Sequence, residues 1–112
     1  MLGLKNYKVE AFRFGTQRIP YEDWLESLDE KTRLRIIDRV RRLAKGQFGD
    51  YKKIDHSLYE LRFFFGPGYR IYFGDYRGTL ILLLTGGDKK SQSRDIRTAR
   101  EYWKIFQEDH HD

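Results

Sequence analysis

A continuous apolar run near the end of the chain constrains the fold most strongly. Residues 80–84 read Leu-Ile-Leu-Leu-Leu and are followed at a short distance by Gly86-Gly87. Successive residues of a strand point to opposite sides of a sheet, so an unbroken apolar run is typical of a strand buried on both faces. The sequence therefore predicts a central strand over residues 79–85, and the two glycines predict its end.

A hairpin is predicted immediately before this strand. Residues 58–65 and 69–73 are rich in apolar and aromatic side chains, and Gly66-Pro67-Gly68 joins them as a three-residue turn. If Phe65 pairs with Tyr69, Arg62 faces Tyr72, and strand alternation sorts the side chains onto two faces. One face is apolar and carries Leu61, Phe63, Phe65, Ile71 and Phe73. The other face is polar and carries Glu60, Arg62, Arg70 and Tyr72.

Helical patterns lie before and after these strands. Pro20 suits the first turn of a short helix, and Ser27 with Glu30 has the spacing of a capping box that starts a second helix. The second helix has an apolar stripe, formed by Ile36, Ile37, Val40, Leu43 and Ala44. A last helix is predicted from about Ser91 by the helical spacing of Ile96, Ala99, Trp103 and Phe106.

These elements, with a first strand predicted over residues 7–14, define an α+β fold. Their order is β-α-α-β-β-β-α, and a chain of 112 residues is expected to form a single domain over residues 1–112. The absence of cysteine excludes a disulfide scaffold and thiolate metal ligands. No apolar run approaches the ~20 residues that a membrane span needs, so a cytoplasmic protein without a membrane partner is expected.

Basic residues are concentrated in three zones of the chain, whose formal net charge is +5. Residues 27–45 carry +4, residues 52–72 carry +2 and residues 89–100 carry +4. Such patches suit a polyanion, because Lys and Arg make most protein contacts to phosphate. The alternative for the first zone is a solvated helix face. On the polar hairpin face the alternative is a surface ion pair between Glu60 and Arg62 without a further function.

Several motifs resemble those of the RelE/ParE toxin superfamily, most closely its HigB-like branch of addiction module killer proteins. The resemblance is carried by Leu61-Arg62, by residues 68–73 (Gly-Tyr-Arg-Ile-Tyr-Phe), by residues 86–92 (Gly-Gly-Asp-Lys-Lys-Ser-Gln) and by Asp95-Ile96. It implies a RelE-like fold, a small twisted antiparallel sheet with two N-terminal helices packed on it and a C-terminal helix. It also implies a toxin of a type II toxin–antitoxin system.

The resemblance further implies an activity and a set of partners. RelE- and HigB-like members cut mRNA on the ribosome, with the 2′-hydroxyl attacking the adjacent phosphate, and this needs neither a metal nor another cofactor. The expected partners are the ribosome, mRNA and a helix-turn-helix antitoxin of the HigA type, with operator DNA reached only through the antitoxin. One alternative is a ParE-like inhibitor of DNA gyrase. Another is a catalytically weak domain that only binds nucleic acid or its antitoxin.

Site residues follow from the matching motifs. Arg70 matches the arginine that stabilises the phosphate in the transition state, and Arg62 matches one that holds the RNA backbone. Lys89 or Lys90 would act as a general acid or an electrostatic clamp. Ile96 stands where RelE has a functional tyrosine, so the general base stays open among Lys52, Lys53, His56, Tyr72 and Asp95. Further RNA contacts are expected from Tyr72, Lys52, Lys53 and Arg94.

Overall fold

The strands and helices follow the predicted order with one addition. The protein is described by a computed structural model over residues 5–16 and 18–110. Its elements are β1 (Lys8–Ala11), α1 (Pro20–Glu26), α2 (Glu30–Leu43), β2 (Tyr51–Lys53), β3 (Leu58–Arg62), β4 (Arg70–Tyr76), β5 (Leu80–Gly87) and α3 (Gln92–Asp109). The α+β class is confirmed. The added strand is β2, whose three residues are all exposed and so lack the apolar alternation that predicts a strand.

The five strands form one mixed sheet in the order β1-β5-β4-β3-β2. The expectation of an antiparallel sheet is corrected at one edge, where β1 pairs in parallel with β5. The other neighbours are antiparallel. Strand β5 has neighbours on both sides, as its apolar run predicted. The expected single domain includes residues 1–4, 17 and 111–112, which lie outside the described residues.

The sheet separates two apolar clusters, which we call the α1–α2 face and the α3 face after the helices that cover them. The α1–α2 face holds Ile36 and Leu43 of α2 against Leu61, Ile71 and Phe73 of the sheet. The α3 face holds Ala99, Trp103 and Phe106 against Leu58 and Tyr72. Strand β5 serves both faces, because Ile81 and Leu83 join the first cluster while Leu82 and Leu84 join the second.

The hairpin register differs from the predicted one by two residues. Arg62 lies opposite Arg70, and Glu60 opposite Tyr72, because the connection is longer than three residues. The amide of Phe63 still donates to the carbonyl of Tyr69 at 3.0 Å, so the connection remains an ordered turn. A shift of two residues preserves the side of the sheet on which each residue lies. The predicted division into an apolar and a polar face therefore holds.

Two local predictions about element ends are wrong. Helix α2 begins after Asp29, whose carboxylate accepts from the Thr32 amide at 3.1 Å, whereas Ser27 lies at the end of α1 and bonds to the carbonyl of Trp24. Strand β5 continues through Gly86 and Gly87 instead of ending before them. In the described part of the chain no helix is both long and apolar enough to span a membrane.

Candidate functional site

The ends of β3, β4 and β5 meet the start of α3 beside the hairpin turn. Arg70 is paired with Arg62 on one side and with Gly87 on the other. Lys89 follows β5, and its amide donates to the carbonyl of Pro67 in the turn at 3.3 Å. A Cβ atom placed on Gly68 would lie 3.3 Å from Arg70 Nη1 and 3.5 Å from Lys89 Cβ. The fold thus brings together Arg70 and Lys89, which are far apart in sequence.

A buried carboxylate holds the guanidinium of Arg70. Glu60 is 0% exposed, and its Oε2 atom lies 3.5 Å from Arg70 Nε and accepts from Gln92 Nε2 at 2.8 Å. The Arg70 side chain is 14% exposed, and its Nη1 donates to the carbonyl of Gly68 at 2.9 Å. Strand β3, strand β4 and helix α3 are therefore tied together at this point, which gives Arg70 a defined orientation.

Tyr72 lies in the same buried cluster, and this corrects its predicted role in RNA binding. Its side chain is 0% exposed, because α3 covers this face of the sheet and leaves no access for a base. Burial, followed by the negative charges of Glu60 and Asp95, raises the pKa of Tyr72 well above its usual range, while Arg70 opposes that shift. Among the described residues, three buried atoms of the cluster lack a hydrogen-bond partner: Tyr72 Oη, Glu60 Oε1 and Arg70 Nε.

The loop between β5 and α3 is ordered by two carboxylates. Asp88 accepts from the amides of Lys90 and Ser91 at 2.9 and 3.1 Å, and the Ser91 hydroxyl donates to Asp95. Asp95 is only 7% exposed and lies over Gly87, where a Cβ atom would come within 1.8 Å of its Oδ2. The carboxylate of Asp95 is thus packed into the start of α3.

A cavity of about 430 Å³ opens beside this loop. Lys90 and Arg94 are exposed on its rim, and Trp24 of α1 contributes an aromatic wall. Arg94 Nε lies 3.8 Å from Asp95 Oδ1, so part of its charge is balanced. Together with Lys89, these side chains give the start of α3 a cationic rim that suits an anionic ligand.

The remaining predicted residues lie elsewhere. His56 is exposed in the loop before β3, whereas Arg70 pairs with Arg62 at the other end of that strand, which itself spans about 13 Å. Lys52 pairs with Glu60 across the edge of the sheet, and Lys53 pairs with Tyr59 and so faces the opposite side. Arg62 is bound by Asp50 through two hydrogen bonds of 2.9 and 3.1 Å.

Sequence reasoning missed the roles of Glu60, Gln92 and Gly87. The sequence predicts Glu60 at the surface, because no covering helix is assigned to the polar hairpin face. The apolar stripe of the last helix could have predicted the burial of Glu60, because a long amphipathic helix needs a sheet face to cover. At Gly87 the pattern indicates only a strand end. Within the described residues, no group of three or more His, Asp or Glu side chains is arranged to hold a metal ion.

The fold and this site define a small α+β protein with a cationic edge built around a buried Glu60–Arg70 pair. The family model described as phage-derived protein Gp49-like (DUF891) matches residues 23–104. The chain belongs to this family, which is a family of RelE-like, addiction module killer toxins. An uncharacterized protein of Haemophilus influenzae is 39% identical over 83 residues, which cover 73% of this chain and 84% of that protein.

Family membership suggests that the chain is a toxin of a toxin–antitoxin pair with an antitoxin partner. The matched residues run from α1 to α3 and include every side chain of the site around Arg70. The expected relation to RelE-like toxins is confirmed at this level.

Proposed function

We propose that the protein is a ribosome-dependent mRNA endoribonuclease of the HigB-like branch, neutralised in the cytoplasm by a helix-turn-helix antitoxin. That antitoxin would also carry the toxin to operator DNA. The observation that carries the proposal is the meeting of Arg70 and Lys89 at Gly68, beside the cationic rim formed by Lys90 and Arg94. Cations from the start of β4, from the loop between β5 and α3 and from the start of α3 converge there, which is what a bent phosphodiester backbone requires.

The proposed chemistry is a transesterification. The 2′-hydroxyl attacks the adjacent phosphorus, the bond to the 5′-oxygen breaks, and a 2′,3′-cyclic phosphate forms. Arg70 offers its remaining N–H groups to the phosphorane oxygens, held in place by Glu60 and Gly68. Lys89 supplies a proton to the leaving 5′-oxygen.

The burial of Tyr72 and the remote position of His56 leave few candidates to accept the 2′ proton. Lys52 is exposed and pairs with Glu60, so it lies on the Arg70 side of the sheet. Asp95 is nearly buried and engaged by Ser91. We therefore assign the proton-accepting role to Lys52, acting as the neutral amine, and a structural role to Asp95.

Induction of variants in cells without the antitoxin gene tests the proposal. The wild type is expected to arrest growth and produce new mRNA 5′ ends within translated codons. Lys89→Gln should abolish both effects, and because Lys89 is exposed we expect the variant to fold normally. Lys104→Gln is the matched control, since it removes an exposed lysine of α3 outside the site and should leave cutting unchanged. Growth arrest with intact mRNA would contradict the proposal.

A ParE-like inhibitor of DNA gyrase is the second candidate, and one observation favours it. The Arg70 guanidinium is only 14% exposed and is already bound by Glu60 and Gly68, as expected for a structural residue. A supercoiling assay with purified gyrase separates the candidates. Inhibition by the wild type and by Lys89→Gln alike, together with a DNA-damage response in cells, would establish this alternative.

A further inference from the structure

The hairpin turn displays an aromatic ring that the core does not use. Three phenylalanines stand in a row, and Phe63 is 5% exposed and Phe65 partly buried, whereas Phe64 is 86% exposed. Phe64 is the most exposed of the large apolar side chains in the described residues, ahead of Leu34 at 58%. Exposure of nearly a whole ring has no benefit for folding, so the ring is available to a ligand.

The turn that carries Phe64 is ordered on both sides. The Phe63 amide donates to Tyr69 O at 3.0 Å, and the Gly68 amide donates to Phe65 O at 3.3 Å. Pro67 is tied to the loop between β5 and α3, since its carbonyl accepts from the Lys89 amide. A ring presented on an ordered turn loses little conformational entropy when it binds a ligand.

Arg35, whose guanidinium has free N–H donors, lies beside the turn that carries the Phe64 ring. The Arg35 guanidinium stacks on Phe65, with its central carbon 3.6 Å from the ring centroid. A stacked guanidinium keeps its N–H groups at the edge of its plane, where they can bind phosphate oxygens. Arg35 has no acceptor among the described residues. Arg39, stacked 4.7 Å from the Phe63 ring, instead donates to the carbonyls of Phe48 and Asp50 at 3.0 and 2.8 Å.

The charge around Phe64 is positive. A cavity of about 250 Å³ lies between α2 and the turn, and its charged lining consists of Arg35, Arg39, Arg42 and Asp38. Asp38 is engaged by Arg42 at 3.1 Å, and the nearby Asp50 is engaged by Arg62 at 2.9 Å. Three arginines thus face one carboxylate in the cavity, and this favours an anionic partner over a neutral or cationic one.

We propose that Phe64 and Arg35 bind an unpaired nucleotide of RNA, with the base stacked on the ring and a neighbouring phosphate bound by the guanidinium. Aromatic rings next to arginines are the usual surface for single-stranded nucleic acid, because every base has a face to stack and every link a phosphate to bind. The inference rests on the proposed function in that the partner is RNA. Pro67 and Gly68 of the same turn lie against Lys89 and Arg70, so an RNA strand that leaves Phe64 along the turn can reach the cationic site.

Fluorescence anisotropy with a labelled 2′-O-methyl oligoribonucleotide of about 12 nucleotides measures binding without cleavage, since the nucleophile is blocked. Phe64→Ser is expected to weaken binding about ten-fold, as loss of one stacked base does, while Phe64→Trp retains it. Leu34→Ser is the matched control for loss of an exposed apolar side chain and should bind like the wild type. Equal binding by Phe64→Ser and Leu34→Ser would overturn the proposal.

The phosphate contact has its own test. Arg35→Gln should lower the slope of log K against log salt concentration by about 0.7, the value for one phosphate of a single strand. Arg41→Gln is the matched control, because Arg41 is an exposed arginine of the same helix that lines a different cavity, beside β1 and α1. Equal slopes for Arg35→Gln and Arg41→Gln would contradict the assignment of Arg35.

Two further outcomes distinguish an RNA surface at Phe64 from an antitoxin interface and from the nuclease activity itself. If Phe64→Ser binds RNA normally but is no longer neutralised by the antitoxin encoded next to the toxin gene, the surface is a protein interface and the inference is wrong. If the wild type fails to cut mRNA yet the oligonucleotide still depends on Phe64, the proposed nuclease function fails and the RNA surface stands.

Discussion

The two faces of the sheet are both covered by helices, but they are built from different chemistry. On the α1–α2 face, aromatic and aliphatic side chains pack without a buried charge. On the α3 face, Glu60 and Asp95 are buried among apolar residues, and these are the charged side chains that are buried in the described part of the chain. The same sheet therefore carries an apolar core on one side and a partly polar one on the other.

This difference indicates that the two faces of the sheet have different roles. An apolar interface gains stability in proportion to the area it buries, whereas a buried ion pair contributes little net stability and demands a defined geometry. The charges on the α3 face lie where β3, β4 and the start of α3 meet Arg70, which is the end of the sheet that carries the proposed site. Stability and orientation are thus supplied by opposite faces.

The largest loss of stability is expected from truncation on the α1–α2 face. Phe73 is 0% exposed and stacks on Tyr59 with ring centroids 5.4 Å apart. Phe73→Ala should lower the free energy of unfolding by about 4 kcal/mol through lost burial and the cavity left behind. Urea denaturation followed by circular dichroism measures this change. A loss below about 1 kcal/mol would mean that this face is loosely packed.

Breaking the buried ion pair on the α3 face is expected to cost nearly as much. Glu60→Ala leaves the Arg70 guanidinium without its carboxylate in a site that is largely closed to water, and should cost about 3 kcal/mol. Replacing both partners by apolar residues, as Glu60→Leu with Arg70→Met, should recover most of that loss. If the double variant is as unstable as Glu60→Ala, the pair stabilises the fold and does more than orient Arg70.

A glycine in β5 tests the close approach of α3. Gly87→Ala would place a Cβ atom 1.8 Å from Asp95 Oδ2 and should cost about 2 kcal/mol, because the packed carboxylate of Asp95 must be displaced. Adding Asp95→Ala removes the closest clash and leaves the one with Ser91 Oγ at 2.7 Å, so the double variant should lose less than the sum of the two single changes. Additive losses would show that Gly87 is needed for another reason.

The smallest effect is expected at Tyr72. Its buried hydroxyl faces the Glu60 carboxylate, which contributes to its raised pKa, but it makes no hydrogen bond of normal geometry among the described residues; Tyr72→Phe therefore removes at most one weak bond to Glu60 and leaves the ring in place. Stability should stay the same or rise by up to about 1 kcal/mol. A clear loss in the same urea measurement would reveal a bond to this hydroxyl, and with it a more specific role for the polar cluster.

Much of the fold could be predicted from local patterns. The unbroken apolar run at residues 80–84 is typical of a strand with both faces covered, and the structure places its side chains in both clusters. The division of the hairpin residues into two faces survived a wrong register, because the error was an even number of residues. Strand β2 was not predicted, because its own side chains show no strand pattern and it forms a strand only by pairing with β3.

The candidate site could be predicted only in part. The sequence by itself determined that Arg70 lies in the hairpin and that Lys89 and Lys90 follow the last strand. These positions were enough to predict a positively charged edge. Only the tertiary structure decided that Glu60 and Tyr72 are buried, that His56 lies at the far end of β3 and that Phe64 stays exposed. The physical reason is that the alternation of residues along a strand shows on which face of the sheet each side chain lies. Whether that side chain is buried depends on which helix covers the face, and this is decided by the tertiary structure.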